Sequence, residues 1–121
     1  AMHDATEGGL VAALNEMADA SKLGFKVEFD KLLIPKETRS LQKHFRLTDE
    51  QLLSMSSTGT LLAAIDARAK NRVETELQRC GIGAGFVGVF TRAKRHLLIR
   101  DGMSEVFPKR ANDPYERIMS A

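Results

Sequence analysis

Leu10, Leu14, Met17 and Ser21 recur at i, i+4, i+7 and i+11, with Val11 and Ala18 beside them. This spacing predicts one apolar stripe on a helix from about Gly8 to about Ser21. Lys22-Leu23-Gly24 follows as a stop, with Gly24 suited to a left-handed conformation. Phe25, Val27 and Phe29 then alternate with Lys26, Glu28 and Asp30, the period of a half-buried strand. After the connector Leu32-Leu33-Ile34, Pro35 opens a helix over 36–46, with Leu41 and Phe45 on its buried side. Thr48 and Gln51 form a capping box for a short helix through Leu52, Leu53 and Met55.

The second half of the chain reads differently. Ser56-Ser57-Thr58-Gly59 is a loop, and the continuous apolar run Leu61–Ile65 suits a central strand covered on both faces. Asp66 caps a helix over 67–80, with Ala69, Val73 and Leu77 inward and Lys70 and Glu74 paired on the wet side. Gly81 closes it. A strand over 83–90, the basic turn 92–95 and a strand over 96–100 read as a hairpin. Asp101-Gly102 turns the chain into 104–107, and Asp113-Pro114 caps a last helical turn. The element order predicts an α+β fold, a layered α/β sandwich with helices on a mixed, partly antiparallel sheet.

At 121 residues the chain is one domain, 1–121, with 43% apolar and 28% charged residues. A net charge of +2 argues for neither nucleic acid nor a membrane surface as partner. The single cysteine, Cys80, permits no internal disulfide and no zinc framework, and reads as a small buried residue. With no long apolar run and no signal peptide, the expectation is a soluble, cytoplasmic protein. Ala1 leads abruptly into a functional-looking loop, so the chain is expected to be a domain cut from a longer protein.

The chemistry concentrates at the start, in His3-Asp4-Ala5-Thr6-Glu7-Gly8-Gly9. A helix N-terminus offers unpaired N–H groups and partial positive charge to an anion, and Gly8 and Gly9 carry no side chain to hold a ligand away. Asp4 and Glu7 would repel a phosphate unless a divalent cation stood between them; Mg²⁺ is commonly held by one or two carboxylates, phosphate oxygens and water. The same residues also fit a plain helix start, with Asp4 as N-cap and Glu7 completing a capping box. Elsewhere the signals are weaker. Arg92, Lys94, Arg95, His96 and Arg100 form the densest basic cluster, but without the aromatics that stack nucleic-acid bases, so they read as a solvated turn. His3, His44 and His96 have no partners at metal-ligand spacing, though His3 could reach the Asp4 cleft. No nucleophile-elbow pattern accompanies Ser and His.

Residues 3–18, His-Asp-Ala-Thr-Glu-Gly-Gly-Leu-Val-Ala-Ala-Leu-Asn-Glu-Met-Ala, resemble the opening of the C-terminal domain of the aminoimidazole ribonucleotide (AIR) synthase-related superfamily. Ile34-Pro35, Ser56-Ser57-Thr58-Gly59-Thr60-Leu61-Leu62 and Gly81-Ile82-Gly83 fall in the expected order, so the likeness spans nearly the whole chain. It is greatest towards the hydrogenase maturation protein HypE and archaeal-type AIR synthase-related proteins. The resemblance implies an AIR synthase C-terminal-domain fold within a two-domain, homodimeric protein that uses ATP with Mg²⁺. The N-terminal ATP-binding domain is then the partner of this one, which closes one side of the cleft and has no turnover by itself. Matched to the Asp-x-Ser-Asp-Gly motif of the thiamine-monophosphate kinase branch, Asp4, Thr6, Glu7 and Gly8, with Gly9, would contact nucleotide, and Asp4 and Glu7 the metal. The turn Ser57, Thr58 and Gly59 would face the same cleft. HypE ends in a cysteine that carries its carbamoyl group, whereas this chain ends in Ser120-Ala121. The resemblance therefore implies an AIR synthase-related protein of unassigned substrate ahead of a HypE, with a non-catalytic binding or assembly domain as the alternative.

Overall fold

The stripe on the first helix is what the core is built around. Helix α1 spans Gly9–Ser21 and buries Val11, Ala13, Leu14, Met17 and Ala18, with Leu10 partly buried beside them. Its end differs from the expectation. The left-handed residue is Lys22 (φ 56°), and the Leu23 N–H donates to the Ala18 carbonyl at 3.0 Å. Gly24 instead opens strand β2, Gly24–Glu28, where a Cβ would run into the main chain of Ala93 and Arg95. That glycine is needed for a close approach of two backbones, not for a turn. The computed structural model describes residues 2–4, 8–55, 61–112, 114 and 118.

Three further strands complete the main sheet: β4, Gly88–Thr91; β5, His96–Arg100; and β6, Met103–Val106. Their order is β4-β2-β5-β6, with β2 antiparallel to β4, parallel to β5, and β5 antiparallel to β6. The sheet is mixed, as the element order predicts. The expected hairpin of 83–90 with 96–100 does not form, because β2 lies between β4 and β5. Its alternation sets its faces, with Phe25 and Val27 buried on one and Lys26 exposed on the other, while its two backbone edges pair with β4 and β5. Between β5 and β6, Asp101 (φ 51°) and Gly102 (φ 75°) make the two-residue left-handed turn that Asp-Gly favours.

On the α1 face, Phe25, Val27, Phe29, Leu98 and Phe107 meet Val11, Leu14, Ala18 and Leu53. Phe25 and Phe107 stack edge to face, with centroids 4.9 Å apart and planes at 80°. Helix α3, Asp49–Leu53, adds Leu52 and Leu53, and its start is the predicted capping box: Thr48 Oγ1 accepts from the Gln51 N–H at 3.1 Å, and Gln51 Oε1 accepts from the Thr48 N–H at 3.0 Å.

The remaining elements lie at the margin of that core, with Leu62 packed against it. Helix α2, Lys36–Phe45, buries no residue, and Leu41 is exposed where burial was expected. Strand β1, Met2–Asp4, pairs with β3, Leu61–Ala63, in a separate antiparallel ribbon. Leu61–Ile65 is thus no central strand, since Leu61 is 61% exposed and Ile65 38%. A continuous apolar run states no preferred face, and here the central position is held by β2. Helix α4, Lys70–Arg79, follows a 3₁₀ turn over Ala67–Ala69 whose Arg68 N–H is capped by Asp66 Oδ1 at 2.8 Å. Val73 and Leu77 are half-buried, Lys70 lies over the Phe86 ring at 5.0 Å, and Cys80 is exposed rather than buried.

Candidate functional site

The two segments singled out by sequence leave the same end of one ribbon. Met2 pairs with Ala63, His3 with Leu62 and Asp4 with Leu61. Asp4 is therefore the last residue of β1 and stands opposite the first residue of β3. The chain departs β1 towards Glu7 where it also arrives at β3 from Gly59. Thr6, Glu7, Ser57, Thr58 and Gly59 themselves lie outside the described residues, as does the expected helical cap at Asp113.

A second contact holds these ends together. Gly8 (φ 71°) is the N-cap of α1 and Gly9 (φ 58°) its first residue. A Cβ on Gly9 would stand 2.7 Å from the Leu53 carbonyl oxygen, 2.8 Å from the Ser54 carbonyl carbon, and closer still to the Met55 carbonyl oxygen. The start of α1 thus rests backbone to backbone on the C-terminal end of α3, one residue before the 56–60 segment. A Cβ on Gly8 would press on Ala12 and Ala111. Both glycines have left-handed φ and both face filled space, so packing alone accounts for them. The plain-cap reading fails in its specifics: Asp4 belongs to β1, and the N-cap, Gly8, has no side chain to offer.

What this end of the molecule offers chemically is a helix N-terminus without a side-chain cap and without an acidic residue in its first turn. The adjoining sequence carries carboxylates at Asp4 and Glu7 and hydroxyls at Thr6, Ser57 and Thr58. All are hard oxygen donors of the kind Mg²⁺ and phosphate water shells accept, so the donor set fits that ion. Among the described residues, no three His, Cys, Asp or Glu side chains gather as a metal cluster elsewhere.

The basic run at 92–100 divides into two environments that sequence spacing did not reveal. Arg100 donates through Nη1 to Asp49 and through Nη2 to Glu105, and lies over the Phe29 ring at 4.7 Å. Asp49 also accepts from Gln42 Nε2 at 2.8 Å. His96 lies against Phe25, ring centroids 4.7 Å apart, and its Nδ1 is 2.7 Å from Asn15 Oδ1. Asn15 and His96 are 81 positions apart, and no local pattern marks them as partners. Arg92, Lys94 and Arg95 remain exposed, as expected of a solvated turn.

Residues 1–100 match the model of the family described as AIR synthase related protein, C-terminal domain. A candidate hydrogenase expression/formation protein of Methanocaldococcus jannaschii is 31% identical over 101 residues, covering 82% of this chain and 29% of that protein. Among solved structures, E. coli HypE superposes with a TM-score of 0.84 at 25% identity, covering 98% of this chain and 37% of HypE. A chain of a HypE–HypF complex gives 0.79 at 18% identity, covering 88% of this chain and 35% of that one, a likeness of fold. The chain spans about a third of the length of these relatives.

Proposed function

The chain belongs to the AIR synthase-related family as a C-terminal domain, and on that premise we propose that it forms one wall of an ATP- and Mg²⁺-using cleft in a longer, two-domain protein. Asp4, with Glu7, would hold the Mg²⁺ that accompanies the nucleotide. Thr6, the Gly8 and Gly9 amides, and Ser57, Thr58 and Gly59 line the same pocket. The bound Mg²⁺ supplies charge neutralisation for the phosphates. The observation that carries this reading is the convergence of both segments on one end of the β1–β3 ribbon, with Asp4 opposite Leu61 and Gly9 seated on the end of α3. An N-terminal ATP-binding domain supplies the other wall, the full-length protein is a cytoplasmic homodimer, and the isolated domain does not turn over ATP.

A second reading concerns which member of the family this is. The relatives carry hydrogenase-maturation names, and they favour a HypE-type maturation factor over an AIR synthase-related protein of unassigned substrate. The terminal Ser120-Ala121 carries no weight against it.

The test is Asp4→Asn in the full-length protein, titrated with ATP by calorimetry with and without Mg²⁺. Asn keeps the size and hydrogen-bonding reach of Asp but removes the charge that holds the ion. The expected result is parental folding and a loss of about tenfold or more in Mg²⁺-dependent ATP affinity, the scale of one charge-assisted contact. Equal affinities in parent and variant would remove Asp4 from the site.

A further inference from the structure

A recess of about 240 Å³ opens at the other end of α1, lined by Ala18, Asp19, Lys22, Leu23, Lys94 and His96. A helix of 13 residues is about 20 Å long, so this recess is well separated from Gly8 and Gly9. The state of its histidine follows from the hydrogen bonds behind it. Asn15 Nδ2 donates to the Pro108 carbonyl at 2.9 Å and the Lys109 carbonyl at 3.3 Å, which fixes Asn15 Oδ1 as an acceptor. His96 Nδ1, 2.7 Å from that oxygen, must carry the proton. Nε2 of the neutral ring is therefore a lone pair facing the recess, 3.9 Å from Asp19 Oδ1.

The charged groups around it come from two elements. Helix α1 contributes Asp19 and its C-cap Lys22, and the β4–β5 turn contributes Lys94. Strand β2 lays the Phe25 ring against His96, and the segment after β6 meets it both at the backbone, where the Phe107 N–H donates to the His96 carbonyl at 2.9 Å, and through Asn15, which bonds the Pro108 carbonyl. Lys22 is the unusual member. It has φ 56°, at a helix C-terminus where glycine is the low-cost choice. Lys22 is one of the residues that line the recess.

We propose that this recess is an oxyanion subsite, for the carboxylate or phosphate group of a small ligand, with Lys22 and Lys94 as its cations and His96 Nε2 as a donor that forms on binding. Asp19, 77% exposed, is the resident carboxylate that a ligand displaces. The fixed tautomer gives the subsite its signature. An oxyanion meets a lone pair on neutral His96 and an N–H on the imidazolium, while the Nδ1–H bond to Asn15 persists in both states. The oxyanion is therefore held by the Nε2–H form of His96, without breaking the hydrogen bond to Asn15.

The experiment follows the His96 ring resonances by NMR in this chain during titration with sodium sulfate or sodium acetate. Sulfate is a phosphate-shaped probe and acetate a carboxylate one. Sodium chloride at matched ionic strength is the control. Expected are saturable shifts with sulfate or acetate beyond those in chloride. Lys22→Gly relieves the left-handed strain, so it should keep or raise Tm while weakening binding about tenfold, and Asp19→Asn should tighten it. Tighter sulfate than acetate assigns the subsite to phosphate groups, and the reverse assigns it to carboxylates. Shifts equal to those in chloride, or parental affinity in both Lys22→Gly and Asp19→Asn, would overturn the proposal.

Discussion

Replacing Gly9 by alanine separates two costs that glycines usually combine. At φ 58° an alanine pays about 1–2 kcal/mol for a left-handed backbone. Its Cβ also meets three main-chain atoms of Leu53, Ser54 and Met55, none of which can swing away as a side chain could. Helix α1 must move off the end of α3, at the roughly 1–3 kcal/mol typical of overpacking. The sum is about 2–5 kcal/mol. Gly81 supplies the control, because it has φ 70° but no atom within 4 Å of the Cβ position. Gly81→Ala should therefore cost only the conformational part, about 1–2 kcal/mol. The smaller entropy of the unfolded alanine chain affects both variants alike and cancels in the comparison. Urea unfolding followed by circular dichroism measures the difference. With a slope of about 1.5 kcal/mol per molar urea, the midpoint of Gly9→Ala should lie roughly 1–2 M below that of Gly81→Ala. Coincident midpoints would mean that α1 and α3 do not meet through their backbones at Gly9. The argument that this contact gathers the candidate site would then fail with it.

Leu14, 6% exposed and within the cluster of Phe25, Val27 and Phe107, should cost about 2–5 kcal/mol as Leu14→Ala in the same urea assay, and a parental midpoint would show that the buried face of α1 is misassigned. The Asp66 carboxyl is held below the usual carboxylate range by the Arg68 guanidinium first and the Arg68 N–H second. Its cap is therefore fully present above the ordinary Asp range and is lost only as pH falls through the lowered value. The Arg68 amide resonance should report that titration, and Arg68→Ala should move the midpoint upward; an unmoved midpoint would refute the pairing.

The sequence was most legible where one face of an element does all the packing. The period of Leu10, Leu14 and Met17 and the alternation of Phe25 and Val27 each name a buried side, and both elements stand where those patterns put them. The capping box at Thr48 and the Asp101-Gly102 turn were equally plain, because each is a local hydrogen-bond or dihedral requirement. Strand order was not legible. The continuous run Leu61–Ile65 reads as the strand with most to bury, yet among the described residues it pairs with β1 alone, and β2 and β5 take the inner places of the main sheet. Burial of a strand depends on what lies across the sheet, and a run without alternation carries no information about that.

The candidate site was legible as a set of residue types and not as a geometry. Adjacent glycines before a helix predict bare backbone for a ligand, but the volume that Gly9 leaves free is filled by the end of α3. The inference about function therefore cannot rest on the glycines being glycines. It rests on their consequence: a β-carbon at position 9 would part α1 from α3, and those elements flank the segments that carry Glu7 and Ser57. In this fold the same two atoms of hydrogen serve packing first, and any ligand role of the Gly8 and Gly9 amides depends on that packing being intact. A variant there must accordingly be read by its stability before its affinity, whereas Asp4→Asn, on a strand held by the backbone register of the ribbon, can be read by affinity directly.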